Sequence, residues 1–212
     1  MICAPCPILI LSNKKGPVRG RTRAIEGGMP EVVIGRGIYG IVLRDERPGV
    51  GECAVKRVTL DSSDAAEHQN IEIERRMLAE ERPRLAVKYG LQLVPRFHAI
   101  TGQGTDTVEF VMQRCRSDAA RWAKEGARTD LELAALMAQA ILIACILARE
   151  GIRHNDLFLR NLCVVEFPDG APPGPRRVAL ALGASADILL LDYASLGFAV
   201  VAIDFGLSSG AQ

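Results

Sequence analysis

Between Leu133 and Ala148 the chain runs for sixteen residues without a charged side chain, bounded by Glu132 and Arg149. No other segment restricts the fold as much. The run contains neither Gly nor Pro and is rich in Ala, Leu and Ile, so it predicts a helix over 130–149 that is apolar on nearly every face. Such a helix demands cover. It falls short of the ~20 residues a bilayer span requires and carries Gln139 in its middle, so it reads as a core helix on which other elements pack. Ile188 to Ile203 is also apolar but is interrupted by Asp192, and it reads as core too.

A chain of 212 residues, 49% apolar and 24% charged, has room for one sizeable domain or two lobes sharing a cleft, and this composition excludes wholesale disorder. With 26 Lys+Arg against 25 Asp+Glu the net charge is +1, so nothing global points to a nucleic-acid or membrane partner. Cys3, Cys6, Cys53, Cys115, Cys145 and Cys163 are scattered through apolar contexts and follow no secretory signal, which reads as a reduced, intracellular chain. Cys3 and Cys6 form a CxxC, but a four-cysteine zinc site needs a second close pair and none exists. The apolar start precedes Lys14 and Lys15 instead of following positive charge, the reverse of a signal peptide's order.

Residues 1–30 hold Lys14, Lys15, Arg19, Arg21 and Arg23 against Glu26, with several glycines and no periodicity, and read as a flexible basic arm, a solvated tail or a docking or nuclear-targeting segment. From Glu31 the texture changes. Val32-Val33-Ile34, Ile41-Val42-Leu43 and Cys53 to Val58 are strand candidates that predict three antiparallel strands, and Thr107 to Cys115 gives another. Asp64 followed by Glu67 marks a helix start, with the helix expected to stop at Pro83. Pro168 to Pro175, with six Pro or Gly in eight positions, marks an exposed loop.

Three features carry chemistry. Gly35-Arg36-Gly37-Ile38-Tyr39-Gly40 is a G-x-G-x-x-G between two strands, where missing side chains would let backbone N–H groups approach phosphate oxygens. A plain hairpin turn also accounts for it, and a dinucleotide fingerprint is disfavoured because strand, not helix, follows. Lys56 lies sixteen residues past Gly40 on an apolar strand, where an ammonium needs an anionic partner. That partner is either a phosphate or Glu74, which shares a helix face with Ile71 and Leu78; a surface lysine and a solvated glutamate are the plainer reading. Beyond the long helix come His154-Asn155-Asp156-Leu157-Phe158-Leu159-Arg160-Asn161 and, forty-eight residues after Asp156, Asp204-Phe205-Gly206.

Taken in order, these motifs resemble those of protein kinases over residues 31–207. The resemblance implies an α+β, protein-kinase-like two-lobe fold: an antiparallel sheet plus one helix in an N-lobe over 31–115, and a mainly helical but incomplete C-lobe over 116–212. It implies ATP and Mg²⁺ as cofactors. Gly35, Arg36, Gly37, Ile38, Tyr39 and Gly40 would cover the ATP phosphates, and Val42 and Ala54 would line the site. Lys56 would hold the α/β-phosphates and be positioned by Glu74. Met112 matches the gatekeeper and Gln113 to Cys115 the hinge. Asp156 would accept the substrate hydroxyl proton, while Asn161 and Asp204 would hold the metal.

The chain also departs from the family's pattern. Asn155 stands where most protein kinases carry an arginine that receives an activation-loop phosphate, so activation by that route is not expected. Phe158 replaces a lysine common in Ser/Thr kinases, and Arg160 is similar to tyrosine kinases and divergent viral or small-molecule kinases. The long gap from Asn161 to Asp204 contains a second candidate metal ligand, Asp192. Only six residues follow Gly206, so an activation segment and substrate-binding helices are expected to be missing, and the apolar helix to lack cover unless a partner chain supplies it. The resemblance implies transfer of the γ-phosphate to protein hydroxyls, Ser/Thr by base rate, in a cell interior, with similarity to kinases of large DNA viruses. Two alternatives stand beside it: a catalytically weak nucleotide-binding regulatory module, and a small-molecule kinase of the same fold.

Overall fold

Along Gly51–Thr59 successive side chains turn to opposite faces of a strand, and this alternation sorts the first half of the chain into two layers. Cys53 and Val55 join Leu43 and Val111 in a small cluster on one face, while Ala54, Lys56 and Val58 look the other way. The computed structural model describes residues 32–37, 40–61, 64–102, 105–167, 177–181 and 188–210. The arm over 1–30, Ile38, Tyr39, and the Pro/Gly loop 168–175 lie outside the described residues.

The elements follow in the order β1 (Val32–Gly37), β2 (Gly40–Arg47), β3 (Gly51–Thr59), α1 (Ala65–Arg76), a π-helical turn Met77–Glu81, α2 (Arg82–Tyr89), β4 (Phe97–Thr101) and β5 (Thr107–Gln113). After them come β6 (Ser117–Asp118), α3 (Ala119–Trp122), α4 (Asp130–Arg149), β7 (Leu162–Glu166), β8 (Arg177–Ala181), β9 (Ile188–Asp192), α5 (Tyr193–Leu196) and β10 (Phe198–Ala202). Among the described residues the fold is α+β. Five strands form an antiparallel sheet in the order β1-β2-β3-β5-β4, a second sheet runs β10-β7-β6, and β8 pairs with β9. β4 is poorly announced by the sequence, because it is short and Ile100 follows Ala99 out of the apolar alternation; its register also shifts between Phe97 and Ala99.

Asp64 starts α1 as expected, its Oδ1 accepting from the N–H groups of Ala66 and Glu67. The expected stop at Pro83 is not observed. The chain passes through the π-helical turn and continues as α2 to Tyr89, where Gly90 at φ +66° ends it. Pro83 is the second residue of α2, directly after the π-helical turn.

α4 spans the residues the apolar run predicts and opens with a capping box between Thr129 and Glu132. Leu136, Ile143, Ile146 and Leu147 enter the main core with Phe110, Trp122 and the wholly buried β10. Gln139, the polar residue within the run, is buried, and its Oε1 accepts from the N–H of Val200 at 2.8 Å. The helix is therefore tied to β10 by a bond an apolar residue could not make. Cover is one-sided: Leu131, Met137 and Ile141 remain 72%, 48% and 59% exposed.

Candidate functional site

Because Ala54, Lys56 and Val58 share one face of β3, the Lys56 side chain projects toward α1, which packs alongside. Glu74 is the buried residue of that helix, on the face also formed by Ile71 and Leu78, while Glu72 turns outward to pair with Arg75 at 2.7 Å. Lys56 Nζ donates to Glu74 Oε1 and Oε2 at 2.9 and 2.6 Å, and to Asp204 Oδ1 at 2.7 Å. One ammonium thus joins β3, α1 and the segment after β10. Burial works against the charge of Lys56, but the two carboxylates outweigh it and hold the ammonium above its ordinary range. Burial likewise pushes the Glu74 carboxyl up, against the pull of Lys56.

Opposite lies the turn that links α4 to β7. Asn161 Nδ2 donates to the Asp156 carbonyl at 2.8 Å and to its Oδ2 at 2.7 Å, and Arg160 Nη2 donates to Asp156 Oδ1 at 2.8 Å. Both Asp156 oxygens are therefore engaged. The Asn161 carbonyl accepts from the N–H of Ile203 at 2.9 Å, which brings Asn161 beside Asp204. Lys56, Glu74, Asp156, Asn161 and Asp204 all line one cleft of about 1360 Å³ between the large sheet and the β6–β7 layer. Asp192 does not line it; its Oδ1 caps α5 by accepting from the N–H of Ser195 at 3.3 Å.

The glycine-rich turn roofs the cleft, with Gly35, Arg36, Gly37 and Gly40 on its lining. The glycines differ in what they permit. A Cβ on Gly40 would stand 2.1 Å from the Arg57 carbonyl oxygen, so this glycine is required by the close approach of β2 to β3; a Cβ on Gly37 would meet nothing within 4 Å. Val42, Ala54 and Met112 line the wall, the last two as cross-strand partners. Gln113 borders the cleft, but its amide is committed elsewhere: its N–H donates to the Arg96 carbonyl at 2.8 Å, and its Oε1 accepts from Gln92 and from the N–H of Arg96.

Cys115 and Cys163 also line the cleft, and the hydrogen bond that the Cys163 thiol shares with Cys115, together with burial, favours its protonated form and pushes it well above its ordinary value. Sequence reasoning passed over Cys163. The available signal was alternation on β7, which sends Leu162 and Val164 into the core and Cys163 to the other face. Arg160, noted as a departure, proves to be the ion-pair partner of Asp156.

Among the described residues no group of three His, Cys, Asp or Glu side chains is placed to hold a metal. Hard oxygen donors are nevertheless present, since Asn161 spends its Nδ2 on Asp156 and Asp204 spends Oδ1 on Lys56, leaving one oxygen on each without a hydrogen bond among the described residues. Two such oxygens suit a small divalent cation that keeps most of its own waters or phosphate oxygens. Compared with known protein families and with curated proteins, the chain matches no family model and no curated protein.

Proposed function

We propose that the cleft binds ATP with Mg²⁺ and transfers the γ-phosphate to a protein hydroxyl, on a protein-kinase-like two-lobe architecture with 31–115 as the N-lobe and 116–212 as part of the C-lobe. The single observation that carries this reading is Lys56 Nζ, held at 2.6 Å from Glu74 and 2.7 Å from Asp204 in the cleft that Asp156 and Asn161 face. Phosphoryl transfer asks for positioning and charge neutralisation more than covalent chemistry, and this set contains the residues for both. Lys56, whose three N–H groups are taken by Glu74 and Asp204, would redirect one of them toward the α/β-phosphates while Glu74 fixes its direction. Gly37, open on its cleft side, would let the backbone reach the phosphates. Asn161 and Asp204 would hold Mg²⁺, which supplies neutralisation of phosphate charge when bound. Asp156 would receive the proton of the acceptor hydroxyl. The setting proposed is the cell interior, and a partner chain covering the exposed face of α4 belongs to the same reading.

One observation favours a second reading, a regulatory module that binds nucleotide with little turnover: both carboxylate oxygens of Asp156 are engaged by Arg160 and Asn161. The deciding experiment is an ATP titration with and without Mg²⁺, run beside a phosphotransfer assay on generic protein substrates. The first reading expects binding tightened by Mg²⁺, transfer in the wild-type protein, and loss of transfer but not of binding in Asp156→Asn. Binding without transfer selects the second reading. Absence of ATP binding overturns both.

A further inference from the structure

Two non-glycine residues among those described lie in the left-handed region, Asn155 and Asp204, each at φ +62°. Asn and Asp tolerate this conformation better than other side chains, but it is still costly and persists where surrounding contacts over-determine it. The contacts around Asp204 converge on residues 153–155. Before it, the Ile203 carbonyl sits 2.8 Å from His154 Nε2, and the His154 ring packs on Phe205 with centroids 4.6 Å apart. After it, Asn155 Nδ2 donates to the Leu207 carbonyl at 2.7 Å and to Ser209 Oγ at 3.2 Å. Arg153 and Ser209 exchange backbone hydrogen bonds at 2.8 and 2.9 Å.

The same segment is gripped from the other side. Arg76, at the end of the helix that carries Glu74, donates from Nη2 to the Gly210 carbonyl at 2.9 Å. Gly210 lies so close to the turn after α4 that a Cβ would stand 1.9 Å from the Gly151 carbonyl oxygen. Asn155 therefore makes, with its own amide, a side-chain connection between the Asp156 turn and the segment after Asp204, beside the backbone pair of Arg153 and Ser209.

We propose that Asn155 is a positioning residue: it latches Leu207–Ser209 so that Asp204 stays against Lys56 and the Lys56–Glu74–Asp204 cluster is assembled without a phosphorylated side chain. As regulation of the proposed nucleotide site, this rests on the reading above; as a statement about the segment, it does not.

The test has two readouts. Amide hydrogen exchange at Ser208 and Ser209 is compared among the unphosphorylated wild-type protein, Asn155→Asp, which keeps the shape and the left-handed tolerance but loses the donor, and Asn155→Ala. Loss of the two bonds should speed exchange roughly tenfold. ATP affinity is then measured with and without Mg²⁺: both variants should keep the Mg²⁺-free affinity and lose several-fold of the Mg²⁺-dependent tightening, a split that general destabilisation would not produce. If the Asn155 variants do not fold, Arg76→Gln should loosen the same amides from the other side. Unchanged exchange in the variants overturns the proposal, as does loss of the Mg²⁺-dependent tightening when the wild-type protein is treated with a phosphatase. A wild-type protein that does not bind ATP removes the nucleotide reading, while the exchange comparison still decides the latch.

Discussion

Glu74 receives the Lys56 ammonium through both carboxylate oxygens, at 2.9 and 2.6 Å, across eighteen residues of chain. Removing one member of a buried pair costs more than removing both, because the survivor is left charged and unpaired. Lys56→Met is expected to lower stability by about 3 kcal/mol at neutral pH, measured by chemical denaturation. The deficit should shrink as pH falls, since a protonated Glu74 needs no counter-charge. The double variant Lys56→Met, Glu74→Leu should recover most of the loss, and a double variant as unstable as the single would contradict the pairing.

Glu150, at the end of α4, gathers Lys88 at 2.7 Å, Arg84 at 2.6 Å and the Tyr89 hydroxyl, and these donors hold its carboxyl down at about 2. A carboxylate whose folded value lies below its unfolded one stabilises the protein above the ordinary value, and that contribution is lost as pH falls through the folded value. Thermal stability should therefore decline between pH 4.5 and about 2. Glu150→Gln should be less stable at neutral pH and flatter across this window; parallel melting curves for the two proteins would exclude Glu150 as the anchor of α2.

Gly40 and Gly37 belong to the same motif but should respond differently. With the Arg57 carbonyl oxygen 2.1 Å from its hypothetical Cβ, Gly40→Ala forces β2 from β3 and should cost about 2 kcal/mol or more. Gly37→Ala, with open space around it, should stay within about 0.5 kcal/mol of wild type. On the nucleotide reading Gly37→Ala weakens ATP binding all the same, so unaltered affinity would count against phosphate contact there.

Cys115 and Cys163 line the cleft, whereas Cys145 is exposed on α4. Mass-mapped alkylation is expected to modify Cys145 at the same rate with or without ATP, and Cys115 more slowly when ATP is present. Of these three Cys163 should react slowest, because its thiol is held protonated by its hydrogen bond with Cys115 and by burial. Protection of Cys145 equal to that of Cys115 would show that ATP acts somewhere other than this cleft.

Much of the local structure was legible because it follows from periodicity and capping chemistry. β-Branched runs bounded by turn residues placed β1, β2, β3 and β5, Asp64 marks where α1 begins, and the uncharged run located α4 to its ends. Pro83 misled, since a π-helical turn moves it into the first turn of α2, and that rearrangement has no signature in residue types. The shared helix face of Ile71, Glu74 and Leu78 pointed to a buried carboxylate, but the anionic partner of Lys56 stayed undecided between a phosphate and Glu74.

The sequence by itself determined which chemical groups exist, their order along the chain, and which side of a strand or helix each occupies, because those properties depend on neighbours a few residues away. Only the tertiary structure decided that Lys56 meets Asp204 across 148 residues while Asp192 caps a helix, that Arg160 and Asn161 close on Asp156, and that Cys163 reaches the cleft floor. Those meetings are set by how α1, α4 and β10 pack around a shared core. Through-space distances between remote segments leave no local trace in a residue pattern.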